Sequence, residues 1–134
     1  MKKYSAILLL VTIMMLFTAC KDKETNQDSM NYKQITMDEA KEIFETKGDY
    51  IIVDVRRADE FASGHIPDAI NIPSGSIGDA DIPELPDKDQ VIYVYCRSGN
   101  RSKQAARELV RLGYTNIIEF GGILDWKGEV VKEP

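Results

Sequence analysis

Two apolar runs set the frame of this chain. Residues 50–55 read Tyr-Ile-Ile-Val-Asp-Val and residues 91–95 read Val-Ile-Tyr-Val-Tyr, apolar at successive rather than alternate positions. A strand that is apolar on both faces lies buried between layers, the habit of a parallel sheet. Around these runs the period changes to that of helices. Met37, Ala40, Ile43 and Phe44 form one stripe, opened by Thr36 and Glu39 at capping-box spacing, with Gly48 marking its end. Residues 102–112 give the clearest helix. Ala105, Ala106, Leu109, Val110 and Leu112 form its apolar face, Ser102 is predicted as its cap, and Gly113 ends it. Residues 58–63 predict a short helix stopped by Gly64, and residues 69–72 a short strand ended by Pro73. Residues 74–90 are irregular, with one helical turn predicted near 77–85. A further strand is predicted over 116–120, a tight turn at Gly121-Gly122, and a last helical segment over 123–127. Strands alternating with helices predict an α/β domain with a central parallel sheet. Ligands in such sheets bind beyond the carboxyl ends of the strands. Asp54 and Cys96 both fall at such ends.

The first 20 residues follow a different logic. A short basic start, Met1-Lys2-Lys3-Tyr4, precedes an apolar run over 6–17 that only Thr12 interrupts. That run is too short for a membrane span and suits a secretion-signal core. Leu16-Phe17-Thr18-Ala19-Cys20 resembles the lipobox of bacterial lipoproteins, with Phe17 where the usual residue is Leu. The resemblance implies diacylglyceryl attachment to Cys20, cleavage before it, and an extracytoplasmic protein anchored in the bacterial cell membrane by its lipid. The expected organisation is a signal peptide over 1–19, a lipidated Cys20 with a flexible tether over 20–33, and a folded domain over 34–132. The tether is predicted from the polar, charged stretch 21–33, which has no apolar period.

Charge narrows the functions available. Lys2 and Lys3 lie in the signal and no acid does, so 17 basic against 22 acidic residues become a net charge of −7 in the mature chain. Nucleic acid demands a basic face, so an acidic domain is a poor candidate for it. An anionic substrate would need a local basic spot, and Arg97 with Arg101 is the evident one. The cysteines sharpen this picture. Of the two in the chain, Cys20 is predicted to carry lipid, which leaves Cys96 without a disulfide partner. No C-x-x-C dithiol exists, and a single histidine is too few for a structural zinc site. Neither metal nor organic cofactor is expected. A monomer is the default expectation.

Cys96 carries the chemistry. It stands in Tyr95-Cys96-Arg97-Ser98-Gly99-Asn100-Arg101-Ser102, after a buried strand and before a helix. A cysteine so placed faces backbone N–H groups and the positive end of the helix dipole. Two arginines add positive charge, so thiolate is favoured over thiol, and the thiolate is the nucleophile. A small buried structural cysteine is the alternative, but such a residue does not need Arg-Ser-Gly-Asn-Arg after it.

Four segments taken together resemble a known family. They are Asp54-Val55-Arg56 with Glu60-Phe61, then Gly64-His65-Ile66-Pro67-Asp68-Ala69-Ile70-Asn71-Ile72-Pro73, then 95–102, then Gly121-Gly122-Ile123-Leu124-Asp125-Trp126. In this order and spacing they resemble the rhodanese-like domains, single-domain sulfurtransferases, across roughly residues 32–131. The resemblance implies a three-layer domain with a central five-stranded parallel sheet and helices on both faces. It implies that Cys96 carries sulfur, cycling between thiolate and persulfide, with Arg97, Ser98, Gly99, Asn100 and Arg101 cradling the outer sulfur. A curled loop at a helix N-terminus makes an anion-binding nest, which agrees. The loop from Cys96 to Arg101 is six residues long. In the superfamily, loops of that length look like sulfurtransferases, and the related phosphatases and arsenate reductases look one residue longer.

The expected activity is therefore sulfur transfer from a small anionic donor such as thiosulfate to cyanide or a thiol. A non-catalytic binding or sulfur-carrier module is the second reading, and a phosphatase or arsenate reductase the third. Around the loop, Ser102, Asp54 and His65 are candidate supporting residues. Asp54 is expected to satisfy strand-end donors or pair with Arg56, Arg57 or the Cys96 loop, and His65 to be structural. Arg56 is expected to be an ion-pair partner, and Trp126 a packing residue.

Overall fold

The computed structural model describes residues 31–134 except Asp79. The predicted signal over 1–19, Cys20 and the predicted tether as far as residue 30 lie outside the described residues; the tether's last residues belong to the fold instead, since Tyr32 is buried in the core and Lys33 pairs in the first strand. Five parallel strands form one sheet: β1 (Lys33–Gln34), β2 (Tyr50–Asp54), β3 (Ile70–Asn71), β4 (Val91–Cys96) and β5 (Asn116–Gly122), in the order β1-β5-β4-β2-β3. Three α-helices are described: α1 (Met37–Phe44), α2 (Ala58–Ser63) and α3 (Asn100–Arg111). The two apolar runs are the central strands β4 and β2, paired in register from Tyr50 with Val91 to Asp54 with Tyr95.

Each face of the sheet has its own core. Ala105, Ala106 and Leu109 of α3 pack with Val53, Ile92, Val94 and Cys96 on one side. Met37 and Ala40 of α1, with Phe61 of α2, pack with Ile52, Tyr93, Tyr95 and Phe120 on the other. Burying apolar groups on both faces explains why the central strands lack polar alternation. The three-layer α/β fold with a five-stranded parallel sheet is thus the observed one.

Local differences from the sequence reading have physical causes. The Thr36–Glu39 capping box forms as predicted. Ile43 lies at the rim of its stripe, 36 % exposed, so α1 buries a narrower face than the pattern suggested. Among the described residues of 77–85 no helix forms, only a single turn in which the Leu85 N–H donates to the Ile82 carbonyl at 2.9 Å. A 3-10 helix forms earlier, at Ser74–Ser76, immediately after Pro73, and Ile77, Ile82 and Leu85 reach the core from outside any helix or strand. Gly121 and Gly122 do not make a tight turn. They extend β5, which carries one extra residue where Glu119 pairs with Val94 and Gly122 with Cys96. Gly121 takes that bulge with φ +97°. The final helical segment shortens to a 3-10 turn, Ile123–Asp125.

Candidate active site

Cys96 is the last residue of β4, and the chain leaves it to curl into α3. Its side chain is 1 % exposed. The backbone N–H of Gly99 donates to Sγ at 3.0 Å. Gly99 is the N-cap of α3, with φ +102° and ψ −12°. That left-handed geometry is cheap only without a Cβ, and it turns the amide inward toward the sulfur. Ser102 is therefore not the cap. It is the third residue of the helix, its Oγ within 3.0 Å of the Gly99 carbonyl and 3.5 Å of Cys96 Sγ.

The loop is clamped against β5. Gly122 runs alongside it closely enough that an added Cβ would sit 2.1 Å from the Arg97 carbonyl oxygen. The Leu124 N–H donates to that same carbonyl at 3.2 Å. The glycine pair is thus a surface for the loop, not a turn.

The candidate residues divide into two groups. Cys96, Gly99 and Ser102 meet at the sulfur. Arg97, Ser98 and Asn100 hold exposed side chains on the loop. Arg101 is half-buried, and Glu60 of α2 takes both ends of its fork, Nη1 at 2.7 Å and Nη2 at 3.0 Å. Sequence reading had left Glu60 without a role, since 41 residues separate the two. The Arg101 hydrogen bonds, the Arg57 N–H and the charges of both arginines hold the Glu60 carboxyl down at about 2. Its contribution to stability is therefore complete above about pH 4.5 and lost as pH falls from there towards 2. Unfolding midpoints in urea at pH 5 and pH 3 check this: Glu60→Gln is expected to lose less between the two than the parent does.

Asp54 and His65 stand apart from the sulfur. Asp54, fully buried, forms an ion pair with Arg56 at 2.7 Å, and Arg56 reaches on to the Gly64 carbonyl at 2.7 Å. His65 stacks on Phe61 at 3.7 Å, with Nδ1 3.0 Å from the Phe61 carbonyl, and its backbone pairs with Val131. Trp126 packs beside Phe44, and its indole N–H donates to the Glu129 carbonyl at 2.9 Å. Among the described residues no three His, Cys, Asp or Glu side chains are grouped to hold a metal ion.

One buried group escaped the sequence reading. Glu119 on β5 is 2 % exposed and accepts from Ser102 Oγ at 2.6 Å, from the Gly121 N–H at 2.9 Å and from Gln34 Nε2 at 3.0 Å. The signal was an acid inside the apolar run Ile117-Ile118-Glu119-Phe120 of a buried strand.

The sequence pattern of the rhodanese-like domain matches residues 36–129. The chain belongs to the rhodanese-like domain family. Relatives of this rhodanese-like domain carry sulfur-transfer names. The putative sulfurtransferase YtwF of Bacillus subtilis is 36 % identical over 103 residues, 75 % of this chain and 95 % of that protein. The thiosulfate sulfurtransferase PspE of Escherichia coli is 36 % identical over 73 residues, 54 % of this chain and 70 % of that one. The adenylyltransferase and sulfurtransferase UBA4 of Candida albicans is 39 % identical over 95 residues, 66 % of this chain but only 22 % of UBA4. This chain therefore spans about a fifth of that larger protein. The crystal structure of a rhodanese-like domain protein from Staphylococcus aureus is 31 % identical with a TM-score of 0.64, covering 76 % of this chain and 99 % of that one.

Proposed function

We propose that this rhodanese-like domain is a sulfurtransferase that moves sulfane sulfur from a small anionic donor such as thiosulfate to cyanide or a thiol through a persulfide on Cys96. The observation that carries this reading is the Gly99 N–H aimed at Sγ from the N-cap of α3. It presents a donor to a sulfur that must bear negative charge in one half of the cycle. The thiosulfate sulfurtransferase PspE supports the choice of donor.

In the first step the Cys96 thiolate attacks the outer sulfur of thiosulfate. An Sγ–S bond forms, the S–S bond of the donor breaks, and sulfite leaves with its electron pair. In the second step the acceptor attacks the outer sulfur. The persulfide bond breaks, its electron pair returns to Sγ, and thiocyanate or a new persulfide departs. Arg97, exposed at the rim, meets the anionic donor. Arg101, fixed by Glu60, adds oriented positive charge near Cys96.

We further infer that Cys20 carries a lipid that holds the domain on the outer face of the cell membrane. The lipobox-like Leu16–Cys20 sequence supports this.

The test follows thiocyanate formed from thiosulfate and cyanide, with Cys96→Ser alongside and intact mass after donor alone. One added sulfur on Cys96 and turnover that vanishes in the variant are expected. A protein that neither gains sulfur from thiosulfate nor makes thiocyanate would overturn the donor assignment. Fractionation of cells expressing the full chain checks the anchor: Cys20→Ser should move the protein out of the membrane fraction, and unchanged partition counts against lipidation.

A further inference from the structure

One buried group outside the proposed chemistry, Glu119, lies close to the sulfur. Ser102, itself fully buried, lies between it and the sulfur. The Ser102 hydroxyl has one proton and four neighbours: Glu119 Oε1 at 2.6 Å, the Gly99 carbonyl at 3.0 Å, the Gly121 carbonyl at 3.3 Å and Cys96 Sγ at 3.5 Å. A charged acceptor at the shortest distance takes the proton. The Ser102 oxygen then turns a lone pair toward Sγ. It can accept from a thiol S–H but has no proton left for a thiolate. The enclosed carboxylate also opposes a second negative charge beside it.

Other groups act on the same pair. The Tyr32 phenol, ahead of β1, faces Glu119 and is joined to Arg107 of α3. Gln34 from β1 is neutral. Arg101, from the first turn of α3, acts on Cys96 with the opposite sign. Among the described residues, Glu119 is the charged group linked to the sulfur through a single hydroxyl.

We infer that Glu119, acting through Ser102, is a positioning residue that keeps the proton on Cys96 and sets the pH at which the cysteine becomes nucleophilic. When the thiol ionises, its S–H bond breaks, the electron pair stays on Sγ and the proton passes to solvent base. Glu119→Gln removes the charge; its amide oxygen keeps the Gly121 N–H but is a weaker acceptor for Ser102, so the Ser102 proton can swing toward the thiolate. The effect on turnover rests on the sulfurtransferase reading, but the effect on Cys96 does not.

The test is the pH profile of iodoacetamide alkylation at Cys96 in the full chain, read by mass on the Cys96 peptide so that Cys20 does not interfere. Glu119→Gln is expected to lower the midpoint by about one pH unit and to speed alkylation at pH 6 about tenfold, the size of a carboxylate's effect at short range in a protein interior. Ser102→Ala, which deprives the thiol of its acceptor, is expected to lower the midpoint too, and it serves as the test if Glu119→Gln does not fold. In the Ser102→Ala background, Glu119→Gln should produce less than half of its original shift. A midpoint that stays or rises in Glu119→Gln overturns the inference. So does a full shift that persists without Ser102. Because no sulfur donor enters this assay, an unmoved midpoint beside normal turnover sinks only the role of Glu119. A shifted midpoint without turnover sinks only the donor assignment.

Discussion

Gly122→Ala is expected to cut sulfur transfer about a hundredfold or more in a domain that still folds. Gly122 has φ −130° and ψ 146°, a conformation that alanine adopts freely, so the backbone is not the problem. Space is. The new Cβ would lie 2.1 Å from the Arg97 carbonyl oxygen, 2.4 Å from its carbon and 2.5 Å from the Ser98 nitrogen. All three are main-chain atoms of the loop, and none can swing aside as a side chain would. Either β5 or the loop must retreat by about an ångström, since close-packed interiors do not absorb an added methyl. β5 is tied into the sheet between β1 and β4, so the loop gives way and carries the Gly99 N–H off Sγ. Overpacking of this kind costs about 1–3 kcal/mol, which a domain with 5–15 kcal/mol of typical stability survives. The neighbouring glycine is the control. An added Cβ at Gly121 would meet nothing nearer than Met37 Cγ at 4.0 Å, so its cost is only the strain of φ +97°. Gly121→Ala should lose stability yet keep most of its turnover per folded molecule. Thiocyanate assays on both variants, with far-UV circular dichroism to count folded protein, decide the matter. Gly122→Ala turning over within threefold of the parent would show that the clamp against β5 does not set the loop.

The sheet and the placement of the Cys96 loop were legible because their signals are local. A run such as Val91–Tyr95 announces a buried strand by itself, and Thr36 with Glu39 announces a helix start three residues apart. What stayed hidden depends on contacts between distant segments. Glu60 and Arg101 are 41 residues apart and meet only because α2 and the loop end on the same rim. Glu119 meets donors from β1, α3 and the bulge in its own strand. Sequence pattern assigns a face to each such residue but not the partner waiting there. Ser102 misled for a related reason. Serine before a helical stripe reads as a cap, but Gly99 has already turned the chain, which places the hydroxyl one turn inside, between sulfur and carboxylate.

Asp54→Ala is expected to cost about 3–5 kcal/mol of stability, the range for breaking a buried ion pair from one side. The Asp54 carboxylate is 0 % exposed and takes Arg56 Nε at 3.0 Å and Nη2 at 2.7 Å, along with the Arg56 backbone N–H at 2.9 Å. Burial works against the Arg56 charge, and the hydrogen bonds and charge of Asp54 outweigh it, so the guanidinium is held more firmly protonated than usual. Alanine at 54 leaves that cation enclosed, with the Gly64 carbonyl as its remaining hydrogen-bond partner and the Tyr95 ring 5.9 Å away. Removing the cation as well relieves the imbalance. Asp54→Ala combined with Arg56→Met should therefore be less destabilised than the sum of the single variants by about 1–3 kcal/mol. Urea unfolding of the four proteins measures both quantities. The same variants separate support from chemistry. Asp54 stands beside Tyr95 in the sheet, one residue from Cys96, but its carboxylate is turned to Arg56. Asp54→Ala assayed well below its melting temperature should hence turn over within about threefold of the parent per folded molecule, because a lost fold-stabilising pair changes population rather than transition-state contacts. A loss of stability under 1 kcal/mol with activity gone would reverse the assignment and place Asp54 in the sulfur-transfer machinery.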